Sequence, residues 1–315
     1  MKKILVMVMA VVMLIGCVGV ASAELTRAAF VTQAFSNPSQ AFSRLQFETY
    51  MGELGFEVTS FEGNNNVQNE IAAVRAAIVD GYEVIFVNPS DIEAILPSLA
   101  EAKEAGLVVG LFSSNLPDSI APEDAHQYRH FFVGCDDFLA GERAAAAFLA
   151  AFPDGATIVE VGGQAGHDAQ IKRRDGFRAG IEGTGIVVLD SQNPPGWNTH
   201  EAQAIAEDFI VKYGDQIEGV FVHWDNGATG VLEAFAAAGR TDVFIVGVDG
   251  NSNGFQQVKD GRQAASIGQS FTQMAIKSMQ LARAVLDGEP VEEINFIPHD
   301  IVTLETIESL PWPEW

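Results

Sequence analysis

Gly81-Tyr82-Glu83-Val84-Ile85-Phe86-Val87-Asn88-Pro89-Ser90-Asp91 is the stretch on which the fold turns. Its four central residues are β-branched or aromatic, with no polar alternation, so the spacing predicts a short strand covered on both faces. Gly81 stands where a preceding helix should stop, and Ile71, Val74 and Ile78 mark that helix's apolar stripe. On the other side, Asn88, Pro89 and Ser90 break the strand, and Asp91 can cap the next helix. The unit is therefore helix, glycine, buried strand, polar loop, helix.

The same unit recurs along the chain. Strands are predicted over 28–32, 56–61, 84–87, 107–112, 131–133, 157–161, 186–190, 219–223, 244–248 and 264–267, with helices between them. Val231, Leu232 and Phe235 mark a second helical stripe, and Gly55, Gly106 and Gly239 repeat the helix-ending role of Gly81. Strict βα alternation builds parallel sheets with helices on both faces. Ten strands exceed one comfortable doubly wound sheet, and no Pro/Gly/Ser-rich linker divides the chain. The expected fold is α/β, with two Rossmann-like lobes joined by several short crossings.

Size and charge narrow the function. The chain has 315 residues, enough for two ordinary domains, and a formal net charge of −24. Such an acidic surface argues against nucleic acid and against an anionic membrane surface. Lys2 and Lys3, the apolar run 4–15 and Ala21-Ser22-Ala23 read as a secretory signal over residues 1–23 that is removed, leaving an exported, periplasmic protein. Leu14-Ile15-Gly16-Cys17 also resembles a bacterial lipobox, so anchoring through Cys17 is the alternative. Cys135 then remains as a single buried thiol.

Ligands of open parallel sheets bind beyond the carboxyl ends of the strands. There this sequence places Ser36-Asn37-Pro38-Ser39-Gln40, Ser113-Ser114-Asn115, Asp136-Asp137, residues 162–168, Trp197-Asn198, Trp224-Asp225-Asn226, Asp249-Gly250-Asn251 and Gln269-Ser270. Asp91, Asp137 and Asn226 also read as helix caps. Taken together, amide and carboxylate oxygens beside exposed indoles suit a small polyhydroxylated molecule, because carboxylates accept hydroxyl protons and an indole covers a sugar's C–H face. The six histidines have no metal-ligand spacing. There is no Gly-x-Ser-x-Gly elbow, no Walker sequence and no dinucleotide fingerprint, so neither an enzyme nor a cofactor is expected.

These residues also carry a resemblance. Ser36-Asn37-Pro38, Val87-Asn88-Pro89-Ser90-Asp91, Gly134-Cys135-Asp136-Asp137, Arg173-Arg174-Asp175-Gly176-Phe177, Val246-Gly247-Val248-Asp249-Gly250 and Ser266-Ile267-Gly268-Gln269 stand in the order and spacing of the periplasmic sugar-binding proteins of the ribose/galactose type. The chain resembles these ABC-importer solute receptors from about residue 26 to residue 303. The resemblance implies three hinge crossings, near Cys135–Asp136, Gln269 and Pro298. The lobes would then be 25–135 with 270–297, and 136–269 with 298–315. It also implies the partners of such a receptor, an ABC permease with its ATPase or a chemoreceptor or sensor kinase, with the receptor itself a monomer.

Asn37, Asp249 and Gln269 match sugar-contacting positions of the family, and Trp197 stands where a stacking aromatic is placed. Elsewhere the chain departs. Ser39-Gln40 replaces a Phe-Phe pair, Ser113-Ser114 followed by Asn115 replaces an Asp-Arg pair, Ile171 replaces an arginine, and Trp224 replaces an asparagine. Ribose itself is thereby put in doubt. With both family arginines read as lost from the cleft and Arg173 read as a structural partner of a nearby acid, a neutral sugar or polyol is expected. An aromatic-acidic site of Trp197, Trp224 and Asp249 with Asp136 or Asp168 would suit a cationic amine, the alternative ligand. Alternative roles are a signal receptor of the same fold and an exported enzyme.

Overall fold

A computed structural model describes residues 25–313 and residue 315. The signal segment 1–23 and Cys17 lie outside the described residues. The first half of the chain runs β1 (Thr26–Thr32), α1 (Pro38–Tyr50), β2 (Phe56–Glu62), α2 (Val67–Val79), β3 (Val84–Asn88), α3 (Ile92–Glu104), β4 (Val108–Phe112) and β5 (Phe131–Gly134). The second half runs α4 (Asp137–Ala151), β6 (Ala156–Val161), α5 (Asp168–Ile181), β7 (Ile186–Gln192), α6 (Thr199–Tyr213), β8 (Gly219–Val222), α7 (Asp225–Ala237), β9 (Phe244–Asp249), α8 (Ser252–Lys259) and β10 (Ala265–Gly268). The chain then returns through α9 (Phe271–Leu286) and β11 (Ile294–Phe296) before ending near β12 (Ile301–Val302).

Two six-stranded sheets result, ordered β11-β5-β4-β3-β1-β2 and β12-β10-β9-β8-β6-β7. All neighbouring pairs are parallel except β10 with β12. The ten predicted strands are present to within a residue or two at their ends. β11 and β12 were not predicted, and β12 makes the second sheet mixed rather than purely parallel. Gly55, Gly81, Gly106 and Gly239 have positive φ, as helix-ending glycines require.

Each sheet is covered on both faces. In the first sheet, Phe30, Phe86 and Phe112 pack under Phe47 of α1 and under Met274 and Met279 of α9. Phe30 and Phe47 have centroids 4.6 Å apart, and Phe47 and Phe86 are 4.8 Å apart. Truncating any one to Ala would cost about 3–5 kcal/mol. The opposite face is covered by α2 and α3 through Val74, Ile95 and Leu99. The second sheet is likewise enclosed, by α6 and α7 on one face and by α4 and α5 on the other.

The chain passes between the sheets three times: from β5 into α4, from β10 into α9, and from β11 to β12. His299, on the last passage, touches the other two, with its ring nitrogens 2.9 Å from the carbonyl oxygens of Gly268 and Asp136. The Gly268 N–H also donates to the Asp300 carbonyl. Among the described residues no helix is long and apolar enough to cross a membrane.

Candidate functional site

The carboxyl ends of β1 and β4 face those of β6, β8, β9 and β10 across a narrow cleft. Of the predicted residues, Asn37, Gln40, Ser113, Trp197, Trp224, Asp249 and Gln269 line it. Asn37 is the N-cap of α1, and its Oδ1 accepts from the Ser39 N–H and Oγ–H at 3.1 and 2.9 Å. Its oxygen is therefore spoken for, and the Nδ2 amide end is what it can offer to a guest. Gln40 is fixed too, its Oε1 accepting from Thr32 Oγ1 at 2.5 Å and Asn88 Nδ2 at 2.9 Å. Ser113 sits at φ 64° at the end of β4, in the left-handed region, and is buried.

Asp249 ends β9 at φ 124°, an unusual backbone for a residue with a side chain. Its Oδ1 accepts from Gln269 Nε2 at 3.0 Å. Burial and the neighbouring Asp225 charge push it up to about 8. Asp225 is saturated, accepting from the Gly250 N–H, Ser266 Oγ and Gln263 Nε2 at 2.8, 2.6 and 2.8 Å. Asp225 thus braces the β9–α8 turn, while Asp249 keeps acceptor capacity facing the cleft.

Trp197 and Trp224 meet edge to face, with centroids 5.5 Å apart. A Cβ on Gly163 would lie 2.0 Å from the Trp197 ring, and one on Gly227 would lie 2.4 Å from Trp224, so both indoles are seated by missing side chains. Trp224 Nε1 is buried with no hydrogen-bond partner. A donor left so is costly unless a ligand oxygen takes it.

Four predicted residues stand elsewhere. Ser114 is fully buried and bonds to His167 Nε2 at 3.1 Å. The Asn115 N–H donates to Asp168 Oδ2 at 2.9 Å, and Lys172 lies 3.0 Å from the same carboxylate. Burial raises Asp168 to about 6 against the pull of Lys172. Asp136 caps α4, accepting the Leu139 N–H at 3.1 Å. Ser114, Asn115, Asp136 and Asp168 therefore join lobes or cap helices, and they do not line the central cleft. The cap of α4 is Asp136 where Asp137 was expected, and Asn226 lies inside α7 without capping it.

The cleft also holds His167 and Asn226, from loops expected to face a ligand, and Gln33, Arg173, Phe271 and Trp315, which were not expected there. His167 caps α5 by accepting the Ala169 N–H on Nδ1 at 3.2 Å. The ring's other nitrogen, Nε2, lies 2.6 Å from Gln33 Nε2 and 3.1 Å from Ser114 Oγ, both on the first lobe. Burial lowers His167 to about 4, keeping it neutral.

Arg173 corrects the expectation that the cleft lacks an arginine. It does pair with an acid as expected, its Nε donating to Asp137 at 2.8 Å, and it also donates to the His223 carbonyl. Yet it lines the cleft as well, with its guanidinium 5.8 Å from the Trp197 ring. It is placed by the close crossing of α4 and α5, where a Cβ on Gly141 would be 2.2 Å from the Arg173 carbonyl and one on Gly176 would be 2.0 Å from that of Phe138. The segment Arg173-Arg174-Asp175-Gly176-Phe177 holds that information, since its glycine marks the helix contact. Among the described residues no cluster of three or more His, Cys, Asp or Glu could hold a metal.

A periplasmic binding protein domain model matches residues 28–290. The ribose import binding protein RbsB of Salmonella typhimurium is 28% identical over 264 residues, covering 84% of this chain and 86% of that protein. The xylitol-binding protein of Mycolicibacterium smegmatis is 26% identical over 250 residues, covering 78% of this chain and 68% of that protein. A crystal structure from Mycobacterium smegmatis in complex with β-D-fucofuranose superposes with a TM-score of 0.82 at 25% identity, covering 90% of this chain and 93% of that one.

Proposed function

Because the chain belongs to the periplasmic binding protein family, we propose that it is an exported receptor which captures a neutral sugar or polyol between its lobes and delivers it to an ABC permease. The observation that carries this is the Asp249–Gln269 pair set against two crossed indoles, with the Trp224 Nε1 donor unpaired. A guest rich in vicinal hydroxyls can donate to Asp249, accept from Trp224 and Asn37, and lay its C–H face on an indole. Arg173 is neutralised by Asp137, so it favours a hydroxyl or ring oxygen over a free carboxylate. Relatives described as binding ribose and xylitol support the same ligand class.

Lobes 25–135 with 270–297 and 136–269 with 298–315 close over the guest as units, hinged where His299 gathers the crossings. The export segment 1–23 is removed in this reading, with a lipid anchor at Cys17 as the alternative. The receptor acts as a monomer and leaves its ligand chemically unchanged.

A second reading, a cationic amine, is favoured by one observation: with Arg173 already paired, Asp249 is the acid that faces both indoles. A thermal-shift screen of sugars, polyols, cyclitols and amines separates the two. A neutral polyhydroxylated compound should raise the melting temperature, since a ligand that binds only the folded state stabilises it by mass action. A response confined to amines, with binding that weakens steeply in salt, would replace the first reading with the second.

A further inference from the structure

After β12 the chain does not stop on its own lobe. Leu310 packs with Phe255, Val258 and Val302 in a small apolar cluster of the second lobe. Trp312, stiffened by Pro311 and Pro313, then sets its ring 5.8 Å from that of Phe255. From there the backbone reaches the front of the cleft. The Trp315 carbonyl accepts from the Ser252 N–H at 2.5 Å and from Ser252 Oγ at 2.7 Å, at the start of α8.

The Trp315 ring belongs to the other lobe. It stacks on Phe42 of α1 at 5.9 Å with 18° between planes, and meets Phe271 of α9 at 5.3 Å and 76°. One residue thus has its backbone bound to the second lobe and its side chain bound to the first. Trp315 also lines the ligand cleft together with Asp249 and Gln269.

We propose that Trp315 is a ligand-retaining residue: a strap that crosses the closed cleft and supplies its third indole wall. The proposal rests on the receptor reading above and adds a residue to its site. Opening the lobes requires Trp315 to part from Phe42 and Phe271 or from Ser252, so the strap acts chiefly on release. An aromatic pair contributes beyond the area it buries, so its loss falls on the dissociation rate. Trp312, half-exposed on Phe255 and outside the cleft lining, serves as the control.

The test uses the full chain with Trp315→Ala, Trp315→Phe and Trp312→Ala. D-ribose, xylitol, myo-inositol and D-allose are first screened against the unaltered protein by thermal shift, and a sugar that binds is taken to calorimetry and stopped-flow dissociation. Trp315→Ala should weaken its affinity roughly 10- to 30-fold, mostly through faster release, with partial recovery in Trp315→Phe. Trp312→Ala should change it by less than about threefold. Trp315→Ala with unaltered affinity and release rate overturns the proposal.

A second measurement needs no sugar, so the strap and the receptor reading can fail separately. Hydrogen exchange of the Ser252 amide, held by the Trp315 carbonyl, should be about tenfold faster in Trp315→Ala. An unchanged rate overturns the strap even where a sugar binds. A faster rate with no sugar bound by the unaltered protein keeps the strap and removes the receptor reading for these four compounds.

Discussion

On the first lobe's side of the cleft, Gln33, Asn37, Ser39, Gln40 and Ser113 present amides and hydroxyls, with no charged side chain lining that wall. On the second lobe's side stand Arg173, Asp249, His167 and the two crossed indoles. The contrast follows from how each wall is held. The amides are locked by caps and by Thr32 and Asn88, which is inexpensive for neutral groups. The ionisable groups need a deeper brace: Asp137 for the Arg173 charge, and Asp225 for the turn that carries Asp249. In the proposed receptor, the second lobe carries the fixed field that would select a guest, and the first lobe is a polar cover that would add donors on closure.

The heaviest blow to that contrast is Arg173→Ala. It leaves Asp137 buried and unpaired and should destabilise the protein by about 3–5 kcal/mol in chemical denaturation, since both side chains are almost wholly buried. A loss below about 1 kcal/mol would show that the brace is not electrostatic. Next comes Asp249→Ala, which should lower sugar affinity by more than about 100-fold in calorimetry, because ligand hydroxyls lose an acceptor in a dry site. An equal loss from any amide on the facing wall would erase the asymmetry.

Acid–base behaviour sharpens it further. Asp249 is held at about 8 when folded, against its ordinary 3.8. Between those values the folded state keeps a proton that the unfolded chain has released, so stability falls as pH rises toward 8. His130 and His167, each lowered to about 4 from 6.5, act in the opposite sense below pH 6.5. The clean window is thus pH 6.5 to 8. There the ligand-free melting temperature should drop by a few degrees, on the order of 2–4 °C, and Asp249→Asn should flatten the slope. A rising or flat profile in the unaltered protein would refute this.

The smallest effect belongs to the polar cover. Asn37→Ala removes the α1 cap and the Nδ2 donor together, costing about 1 kcal/mol of stability and roughly threefold to tenfold in affinity. Asn37→Asp keeps the capping oxygen and loses only the donor. It should restore stability and leave binding weak, and recovery of both would mean the amide never touches the guest.

Much of this molecule could be read before its structure. Val84 to Val87 announce a doubly covered strand because every position is buried. β11 could not be read this way, since Ile294 and Phe296 are 40% and 52% exposed on an edge. In the site, the residues that directly end a strand, such as Ser113 and Asp249, were legible because parallel topology puts them in the cleft. Ser114, Asn115, Asp136 and Asp168 stand one or a few residues further along, where the backbone turns into a loop or helix and takes the side chain out of the cleft lining. Arg173 and Trp315 reach the cleft from inside a helix and from the distant chain end, and only the packing of α4 on α5 and of the tail on α1 brings them in.

The threading of the chain has a consequence for biogenesis. The first lobe's aromatic face, Phe30, Phe47, Phe86 and Phe112, is capped by Phe271, Met274 and Met279 of α9, which the ribosome makes only after the whole of β6 to β10. Strands β6 to β10 of the second lobe are made in one contiguous stretch, with only the edge strand β12 to follow, whereas the first lobe must wait with an open greasy seam for some 130 residues of later synthesis (about the length of one domain). That seam is where a holding chaperone would find its longest-lived grip on the nascent protein.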